Sequence, residues 1–263
     1  MCEGGIILMK LLKDKNILVM GVANKWSIAW AIAEQLYEAG ANITFSYFGD
    51  RSLKSLQKLT ADMKDVTFVE CDVTEDSNIE NTFTYLKEKF GVIHGVAHCI
   101  AHSKSDELKG KFYDTSRDGY SLSHDISVYS LIAVTRYAKP LMTEGGAIIT
   151  LTYYGGEKVI ANYNVMGVAK AALDSSVKYL AYDLGKENIR MNAISAGPIR
   201  TLAGKGISNF DQMLKAFETK SPMGRLVDPS EVGKTALFLL SDLSSGITGE
   251  IIHVDCGYNV IGM

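Results

Sequence analysis

The amino-acid sequence predicts a single doubly wound α/β domain, in which a seven-stranded parallel sheet carries helices on both faces. Short apolar runs alternate with helical patterns from one end of the chain to the other, and this alternation implies right-handed crossovers between parallel strands. Several of the runs are apolar almost throughout, as is typical of strands buried on both faces. No repeat, low-complexity tract or shift in composition divides the 263 residues, so one domain is expected.

Each predicted element follows from its own pattern. The apolar runs predict strands over 16–20, 42–47, 66–70, 92–100, 147–152, 189–194 and 250–255. Helical spacing predicts helices near 27–38, 50–63, 76–90, 125–143, 163–184 and 229–241. Two long polar connections, 101–124 and 197–228, follow the fourth and sixth strands. Because ligands of a doubly wound sheet bind at the carboxyl ends of its strands, we expect a pocket beside these connections.

The composition excludes several classes of function. A formal net charge of −3 argues against non-specific nucleic-acid binding, and no stretch approaches the roughly 18 apolar residues of a membrane helix. The 4 cysteines are scattered without metal-ligand spacing, which predicts reduced thiols in a cytoplasmic protein and no metal site. Residues 1–12 lack the pattern of a signal peptide, so we expect an N-terminal extension before a domain over 13–263.

The first strand runs into Gly21, and the helix after it begins at Ser27, which indicates a dinucleotide-binding turn of the Rossmann type. Glycine allows the tight turn, and Ser27 can cap the helix and reach a phosphate oxygen at its N-terminus. The usual G-x-G-x-x-G pattern is absent, so a plain strand–turn–helix remains an alternative at this point. Asp72 after the third strand can bond an adenine amino group, and Ile100 at the end of the fourth leaves room for a ribose and nicotinamide.

The end of the second strand bears on the choice of cofactor. NADP-binding proteins generally place cations here, whereas NAD-binding proteins place an acidic residue on the ribose. This chain has a single arginine, Arg51, late in the turn, and Phe48 nearer the expected position. The sequence therefore favours NADH, with NADPH possible.

Tyr163 and Lys170 are seven residues apart in a predicted helix and therefore lie on one face, two turns apart, with Met166 between them. An ammonium near a phenol favours the phenolate, so we expect the pKa of Tyr163 to fall below its ordinary value near 10. A donor of this kind stabilises the enolate that forms when a conjugated carbonyl compound is reduced. The alternative is that Tyr163 simply packs and Lys170 is solvated.

These motifs resemble those of the bacterial enoyl-acyl-carrier-protein reductases of the short-chain dehydrogenase/reductase superfamily. The resemblance extends from Lys13 to Val260 and includes a Tyr-x6-Lys signature at Tyr163 and Lys170. It further includes the stretches 123–130, 192–201 and 249–255. It implies an NAD(P)H-dependent oxidoreductase that reduces the double bond of trans-2-enoyl-acyl-carrier-protein thioesters, the last step of the fatty-acid elongation cycle.

The resemblance also implies roles for individual residues. Tyr163 would donate to the thioester oxygen, Lys170 would hold the nicotinamide ribose, and Tyr153 would position the substrate or supply a proton. Ser103 joins the two tyrosines as a predicted substrate contact. The predicted cofactor contacts are Gly21, Ser27, Ile28, Asp72, Val73, Ile100, Lys170, Ile199, Arg200, Thr201, Leu202 and Ala203.

The substrate side is less distinctive. The segment 197–228 is locally basic, which would suit an acidic carrier protein, although an ordinary solvated face explains it equally well. A mobile lid is expected around 200–220, and His102 is interpreted as a partly exposed histidine without a chemical role. An acyl pocket could be lined by Ile207, Phe210, Met213, Leu214 and Phe217.

The helix from Tyr163 onward is apolar on more than one face. Its apolar residues include Val165, Val168, Leu173, Val177, Leu180 and Leu184. A second apolar face would meet water in a monomer, so we expect it to pack against another subunit. The family resemblance implies a homotetramer.

Two other functions stay open. A ketoreductase, or another short-chain dehydrogenase acting on a carbonyl, usually has lysine four residues after the tyrosine, where this chain has Gly167. A dinucleotide-sensing regulator would be free to lose the pair of Tyr163 and Lys170, which this chain keeps.

Overall fold

The computed structural model describes residues 10–200 and 210–262. The strands are β1 Asn16–Met20, β2 Asn42–Tyr47, β3 Thr67–Glu70, β4 Gly95–His98, β5 Gly146–Thr152, β6 Ile189–Ala196 and β7 Ile251–Val254. The α-helices are α1 Ile28–Glu38, α2 Gly49–Leu59, α3 Asp76–Phe90, α4 Arg117–His124, α5 Ser130–Ala138, α6 Asn164–Leu184, α7 Phe210–Lys220 and α8 Pro229–Leu240.

All seven strands are parallel and pair in the order β3-β2-β1-β4-β5-β6-β7, which confirms the predicted doubly wound sheet. The chain winds outward from β1 through β2 to β3 and then continues on the other side of β1 at β4. Ile17 of β1 pairs with Ile43 of β2 on one side and with Gly95 of β4 on the other. The switch point therefore lies between β1 and β4, where sheets of this kind bind their ligands.

An apolar core lies on each face of the sheet. On one face, α1, α2 and α8 bury Ile32, Leu56 and Leu239 against the strands. On the other face, α3 and α6 contribute Phe83 and Leu173. Because the strands are covered on both sides, their side chains are apolar almost throughout, which is the pattern seen in the sequence.

The helix expected over 125–143 is longer and less regular than its pattern predicts. It is preceded by α4, which lies inside the connection expected to be irregular and begins where the Ser116 hydroxyl accepts from the Gly119 N–H at 2.9 Å. A wide π-helical turn, Asp125–Tyr129, then separates α4 from α5. The hydrophobic pattern of the sequence does not predict α4, because the buried side of this helix is polar. Ser123 is fully buried, and its hydroxyl donates to the Gly119 carbonyl at 2.8 Å.

The π-helical turn and the start of α5 bring two hydroxyls against the end of β4. The Ser127 hydroxyl accepts from the His102 N–H at 3.1 Å, and the Ser130 hydroxyl lies 2.8 Å from Nε2 of His98. One irregular helix therefore holds both the last residue of β4 and the connection that follows it. Such turns occur frequently at functional sites.

Gly21 follows β1 in a conformation that favours glycine. Its φ is +86°, and a Cβ atom there would lie 2.1 Å from the Cys99 carbonyl oxygen. Any side chain would force apart the ends of β1 and β4 at the switch point. The structure thus contains the tight turn expected at this position.

The division into an extension over 1–12 and a domain over 13–263 stays a prediction. Residues 1–9 and 201–209 lie outside the described part of the chain, so the expected lid is described only from α7 onward. Leu12 is buried, and its N–H donates to the Ala39 carbonyl at 3.1 Å. Among the helices of the described ranges, none is both long and apolar enough to span a bilayer.

Gly21→Ala should destabilise the fold more than an ordinary glycine substitution. A positive φ costs an L-residue about 1 kcal/mol, and relieving the contact with the Cys99 carbonyl should cost a further amount of about 1–3 kcal/mol. Gly91→Ala is the matched control, since Gly91 has a φ of +72° and nothing within 4 Å of the added Cβ. Urea unfolding followed by circular dichroism measures both losses. Equal losses in the two variants would contradict the close approach.

Candidate active site

The carboxyl ends of β1, β4, β5 and β6 open into a cavity of about 430 Å³. This volume lies in the range of small-molecule sites. Its walls come from the turns after β1 and β4, from the ends of β5 and β6, and from α6, together with Met213 of α7. The cavity therefore lies at the switch point and beside both long connections, as expected.

Most of the predicted site residues lie in this cavity. Those that line it are Gly21, Ser27, Ile28, Ile100, Ser103, Tyr153, Tyr163, Lys170 and Ile199. Asp72 and Val73 are not among its lining residues: they follow β3, where the Asp72 carboxylate accepts from the Thr74 N–H at 2.9 Å. Arg200 is exposed and pairs with Asp211. Three further predicted contacts lie outside the described residues, namely Thr201, Leu202 and Ala203.

Tyr163 and Lys170 line the same cavity, as their spacing predicts. Tyr163 is the N-cap residue of α6, and Met166 lies between the two on the cavity wall. Lys170 is only 5% exposed, and its Nζ donates to the Leu151 carbonyl at 2.7 Å. The alternative of a solvated lysine is therefore wrong.

Burial sets the protonation of both groups. It lowers the pKa of Lys170 to about 8, although Asp174 and Cys99 act to raise it. It raises the pKa of Tyr163 above its ordinary value, and Tyr153 and Asp174 add to the rise. The expectation that the ammonium lowers the pKa of Tyr163 is wrong, because the largest effect on this group is the cost of removing a phenolate from water. Tyr163 is consequently a neutral proton donor at physiological pH.

Tyr153 packs against Tyr163 immediately after β5. The two rings meet edge to face with 5.0 Å between their centroids, and burial raises the pKa of Tyr153 as well. The Tyr153 hydroxyl lies 4.0 Å from Sδ of Met213. Gly155 follows, and a Cβ atom there would lie 2.5 Å from Cδ1 of Tyr163. The chain can therefore pass over the tyrosine ring only because this position has no side chain.

Ser27 occupies the N-cap position of α1 but does not cap the helix with its side chain. Its hydroxyl donates to the Asn24 carbonyl and so closes the turn after β1, which corrects the expected hydroxyl cap. The first residues of α1 still line the cavity, where the helix dipole favours an anion. Together with the close approach at Gly21, this terminus suits a pyrophosphate, so the residues present fit a nicotinamide dinucleotide.

His98 lies behind the cavity and was not identified from the sequence. It is fully buried in β4, with Nδ1 3.2 Å from the Thr150 hydroxyl and Nε2 2.8 Å from the Ser130 hydroxyl. Burial lowers its pKa to about 3, so it is neutral. An apolar strand pattern gives no signal for such a residue. Asn24 and Leu108 also line the cavity, and neither belongs to a recognisable motif.

The residues expected to line an acyl pocket do not share one environment. Met213 lines the cavity, but Leu214 and Phe217 are buried against the body of the domain. Phe217 stacks on Tyr258 with 3.7 Å between ring centroids, because this side of α7 packs on the C-terminal turn. Their expected place in the pocket is therefore wrong. The side chains of Ile207 and Phe210 lie outside the described part of the molecule.

The basic segment 197–228 is partly neutralised by ion pairs. Arg225 donates twice to Glu231, at 2.7 and 2.8 Å, and Arg200 is paired with Asp211 as described above.

His102 is exposed where it lines the cavity. Across residues 10–200 and 210–262, no cluster of three or more His, Cys, Asp or Glu side chains is arranged to hold a metal ion.

Comparisons with a family model, with known proteins and with solved structures all point to the same family. The enoyl-(acyl carrier protein) reductase family model matches residues 21–259. The chain is 59% identical to an enoyl-[acyl-carrier-protein] reductase [NADH] of Bacillus subtilis, over 95% of this chain and 97% of that protein. It is 51% identical to an enzyme of Staphylococcus aureus named for NADPH, over 95% and 98% of the two chains. A crystal structure of the Bacillus cereus enoyl-acyl carrier protein reductase with NADP+ and an indole naphthyridinone is 54% identical, with a TM-score of 0.95, and the match covers 97% of this chain and 100% of that one.

The depressed pKa of Lys170 should make stability depend on pH in a defined window. Between about pH 8 and its ordinary value of 10.5, the unfolded chain keeps the Lys170 proton while the folded chain releases it, so stability from this group rises with pH. Relative to wild type, Lys170→Met should therefore become less stable as the pH rises through this window, by up to about 3 kcal/mol.

Urea unfolding at a series of pH values measures this difference. Lys178→Met, which removes an exposed lysine of the same helix, is the control and should differ from wild type by a constant amount. A constant difference for Lys170→Met as well would show that the ammonium is not penalised by burial.

Proposed function

Because the chain belongs to the enoyl-acyl-carrier-protein reductase family, we propose that Tyr163, Tyr153 and Lys170 are the catalytic residues of its reaction. The chain is an NAD(P)H-dependent oxidoreductase that reduces the carbon–carbon double bond of trans-2-enoyl-acyl-carrier-protein thioesters, the last step of the fatty-acid elongation cycle. The assignment of residues rests on one observation: the two tyrosines and the buried lysine line a single cavity at the switch point of the sheet.

The cofactor would be held by residues that line this cavity, namely Gly21, Ser27, Ile28, Ile100, Lys170 and Ile199. Asp72, Val73 and 200–203 are proposed as further contacts on the family resemblance alone. When bound, the reduced nicotinamide supplies the hydride that adds to the β-carbon of the enoyl thioester. NADH is used, with NADPH possible: relatives are named for both, and the turn after β2 offers only Arg51 as a cation.

Tyr163 donates a hydrogen bond to the thioester oxygen as negative charge develops there. Burial keeps this phenol protonated. Because the hydroxyl is already shielded from water and held in place, little reorganisation of the site is needed when the enolate forms. Tyr153 holds the ring of Tyr163 by its edge-to-face contact and lies beside the substrate. The two tyrosines thus form one wall, in which Tyr163 stabilises charge and Tyr153 orients the acyl group, with Ser103 as a further contact.

Lys170 anchors the ribose of the nicotinamide. Its ammonium donates to the Leu151 carbonyl near the carboxyl end of β5, beside the cavity. A pKa of about 8 leaves Lys170 charged at neutral pH and makes its charge sensitive to mild alkalinity. Because the side chain is buried, its direction is fixed before any ligand arrives.

The competing functions are less well supported. A carbonyl reductase would place its lysine at position 167, but a Cβ on Gly167 would lie 2.8 Å from the Gly155 carbonyl oxygen, so a lysine does not fit there. A dinucleotide-sensing protein would not need a complete set of Tyr153, Tyr163 and Lys170 around one cavity.

The acidic acyl carrier protein that brings the substrate would dock beside 197–228. The ion pairs of Arg200 and Arg225 leave few free cations there among the described residues, so the attraction is weak and concerns docking rate more than affinity. A cytoplasmic location fits the thiols of Cys71, Cys99 and Cys256, all of which are free.

A homotetramer is proposed for the assembly, with α6 at one subunit contact. Most of the apolar residues of this helix are buried inside this chain and cover the sheet, among them Val165, Leu173, Val177 and Leu184. The exposed side of α6 nevertheless carries apolar or aromatic side chains at Val168, Ala171, Tyr179 and Tyr182, interrupted by the charged residues Lys178 and Asp183. On α4, Nε2 of His124 is buried without a hydrogen-bond partner among the described residues. Both features favour contact with another copy.

Tyr163→Phe should lower kcat by roughly 10²–10³-fold, because the developing oxyanion loses its donor. NADH affinity should stay within about twofold of wild type, since the phenol is proposed to act on the substrate. The measurement is the loss of reduced-cofactor absorbance with a crotonyl thioester, with NADH and NADPH assayed in parallel. Tyr137→Phe, on α5 outside the cavity, is the matched control and should behave as wild type.

The outcome that excludes the proposed function is equally direct. A folded wild-type protein that oxidises neither cofactor in the presence of crotonyl thioester is not an enoyl reductase. If reduction proceeds but Tyr163→Phe retains full kcat, the reaction stands and the assignment of its donor is wrong.

Val168→Glu should weaken the tetramer, because it introduces a charge at an exposed apolar position of α6, the helix proposed to form a subunit contact. Size-exclusion chromatography with light scattering measures the mass of each protein. Tyr85→Glu is the control, since it adds the same charge to an exposed aromatic position on α3. Wild-type protein that elutes as a monomer at micromolar concentration would contradict the proposed assembly.

A further inference from the structure

Asp174 continues the line of Tyr163 and Lys170 along α6. It lies eleven residues after Tyr163 and four after Lys170, so that all three project from one side of the helix. Asp174 is partly buried, and its Oδ1 atom is shielded from water. The Thr152 hydroxyl at the end of β5 is shielded in the same way and lowers the pKa of this carboxylate. The proposed reaction assigns no role to the Asp174 carboxylate.

The connection after β5 covers this line of residues. It crosses α6 at Gly155 and Gly156, so close that added side chains would collide with the helix. A Cβ on Gly155 would lie 2.5 Å from Cδ1 of Tyr163, and one on Gly156 would lie 3.0 Å from Oδ2 of Asp174. The backbone of the connection therefore shields Asp174 from water and keeps the carboxylate on the side of α6 that carries Lys170.

Asp174 is the carboxylate that acts on the Lys170 ammonium. It raises the pKa of Lys170, against the larger and opposite effect of burial, and Cys99, which directly follows β4, acts in the same direction. His98, the titratable group of β4 near Lys170, is neutral. Asp174 does not line the cavity, so any effect it has on a ligand passes through Lys170.

We infer that Asp174 is a positioning residue whose carboxylate, one helical turn away on the same side of α6, keeps the buried Lys170 ammonium charged. The inference rests on the proposed role of Lys170 in holding the cofactor. The inference also explains why residues 155 and 156 are glycines: without side chains, they let the backbone pass over the Asp174 carboxylate without displacing it.

The groups around Asp174 leave it ionised at neutral pH. Burial raises its pKa to about 6, and Glu157 adds to the rise, whereas the Thr152 hydroxyl, Lys170 and Lys178 lower it. Glu157 is itself paired with His253 of β7, with 2.6 Å between Nε2 and Oε1. Above about pH 6 the carboxylate supports the ammonium, and above about pH 8 the ammonium itself is lost.

NADH binding by the whole protein, followed by fluorescence from about pH 6 to about pH 9, tests the inference. In Asp174→Asn the pKa of Lys170 should fall by about one unit, because its counter-charge is gone. The alkaline fall in NADH affinity should then begin about one pH unit lower than in wild type. Affinity should be about fivefold weaker near pH 8 and within about twofold of wild type near pH 6, where Lys170 is still protonated.

Two variants separate this effect from a structural one. Asp183→Asn makes the same substitution at an exposed position of α6 and should follow wild type at every pH. Asp174→Glu keeps the charge and should restore the affinity near pH 8. A loss of affinity in Asp174→Asn that is the same at every pH, or an alkaline fall that does not move in the folded variant, overturns the inference.

A reciprocal measurement covers the case in which Asp174→Asn does not fold. With aspartate labelled at the side-chain carboxyl carbon, the NMR signal absent from Asp174→Glu belongs to Asp174. Its titration midpoint should be higher in Lys170→Met than in wild type by at least about half a pH unit, since coupling between two charges is mutual. An equal midpoint in the two proteins overturns the inference.

Failure of the proposed function would look different. NADH binding requires no turnover, so a protein that binds NADH and leaves crotonyl thioester unreduced loses the proposed reaction only. In that case, the pH at which NADH affinity falls in Asp174→Asn, compared with wild type, still decides whether Asp174 keeps Lys170 charged.

Discussion

A buried ammonium is the constraint around which this site is arranged. A charge with little access to water is tolerated only where polar groups replace the solvent, and Lys170 finds such groups on two different elements. The Leu151 carbonyl belongs to β5 and Asp174 to α6, while burial by the surrounding strands depresses the pKa of the lysine. The position of one nitrogen atom is thereby tied to the alignment of a helix with a sheet. A lysine held in this way has its position set by the fold and not by its own flexible side chain.

The strand order makes that alignment possible. Because β4 and β5 follow β1 on the side away from β2, the carboxyl ends of three consecutive neighbours meet where the chain reverses its winding. Gly21 lets β1 and β4 close upon each other, and Gly155 does the same for the connection after β5 and α6. In both places the absence of a side chain sets the distance between two backbones. The same glycines therefore serve the packing of the domain and the shape of its cavity.

Much of the fold and a large part of the site could be predicted from the sequence, and the exceptions share a cause. Strand number, parallel direction and the common wall of Tyr163 and Lys170 follow from periodicity, which depends only on local geometry. The rise in the pKa of Tyr163 could not be predicted, because it depends on how much of the chain excludes water from the ring. The hydroxyl of Ser27 folds back to Asn24, a choice made by the loop as a whole. The helix from Arg117 was missed because its buried side is polar.

The wide turn at Asp125–Tyr129 has a consequence for how this chain tolerates change in length. A residue added to or removed from a regular helix rotates everything beyond it by about 100°. Here the surplus residue is absorbed within the turn, so Ser127 of the turn and Ser130 of α5 reach the end of β4 while α5 keeps Leu131 and Val134 in the core. Deleting one residue from the turn would restore an unbroken α-helix and keep its two halves in the phase that they have now. A single-residue deletion should therefore be tolerated better within this turn than in the regular helices on either side of it.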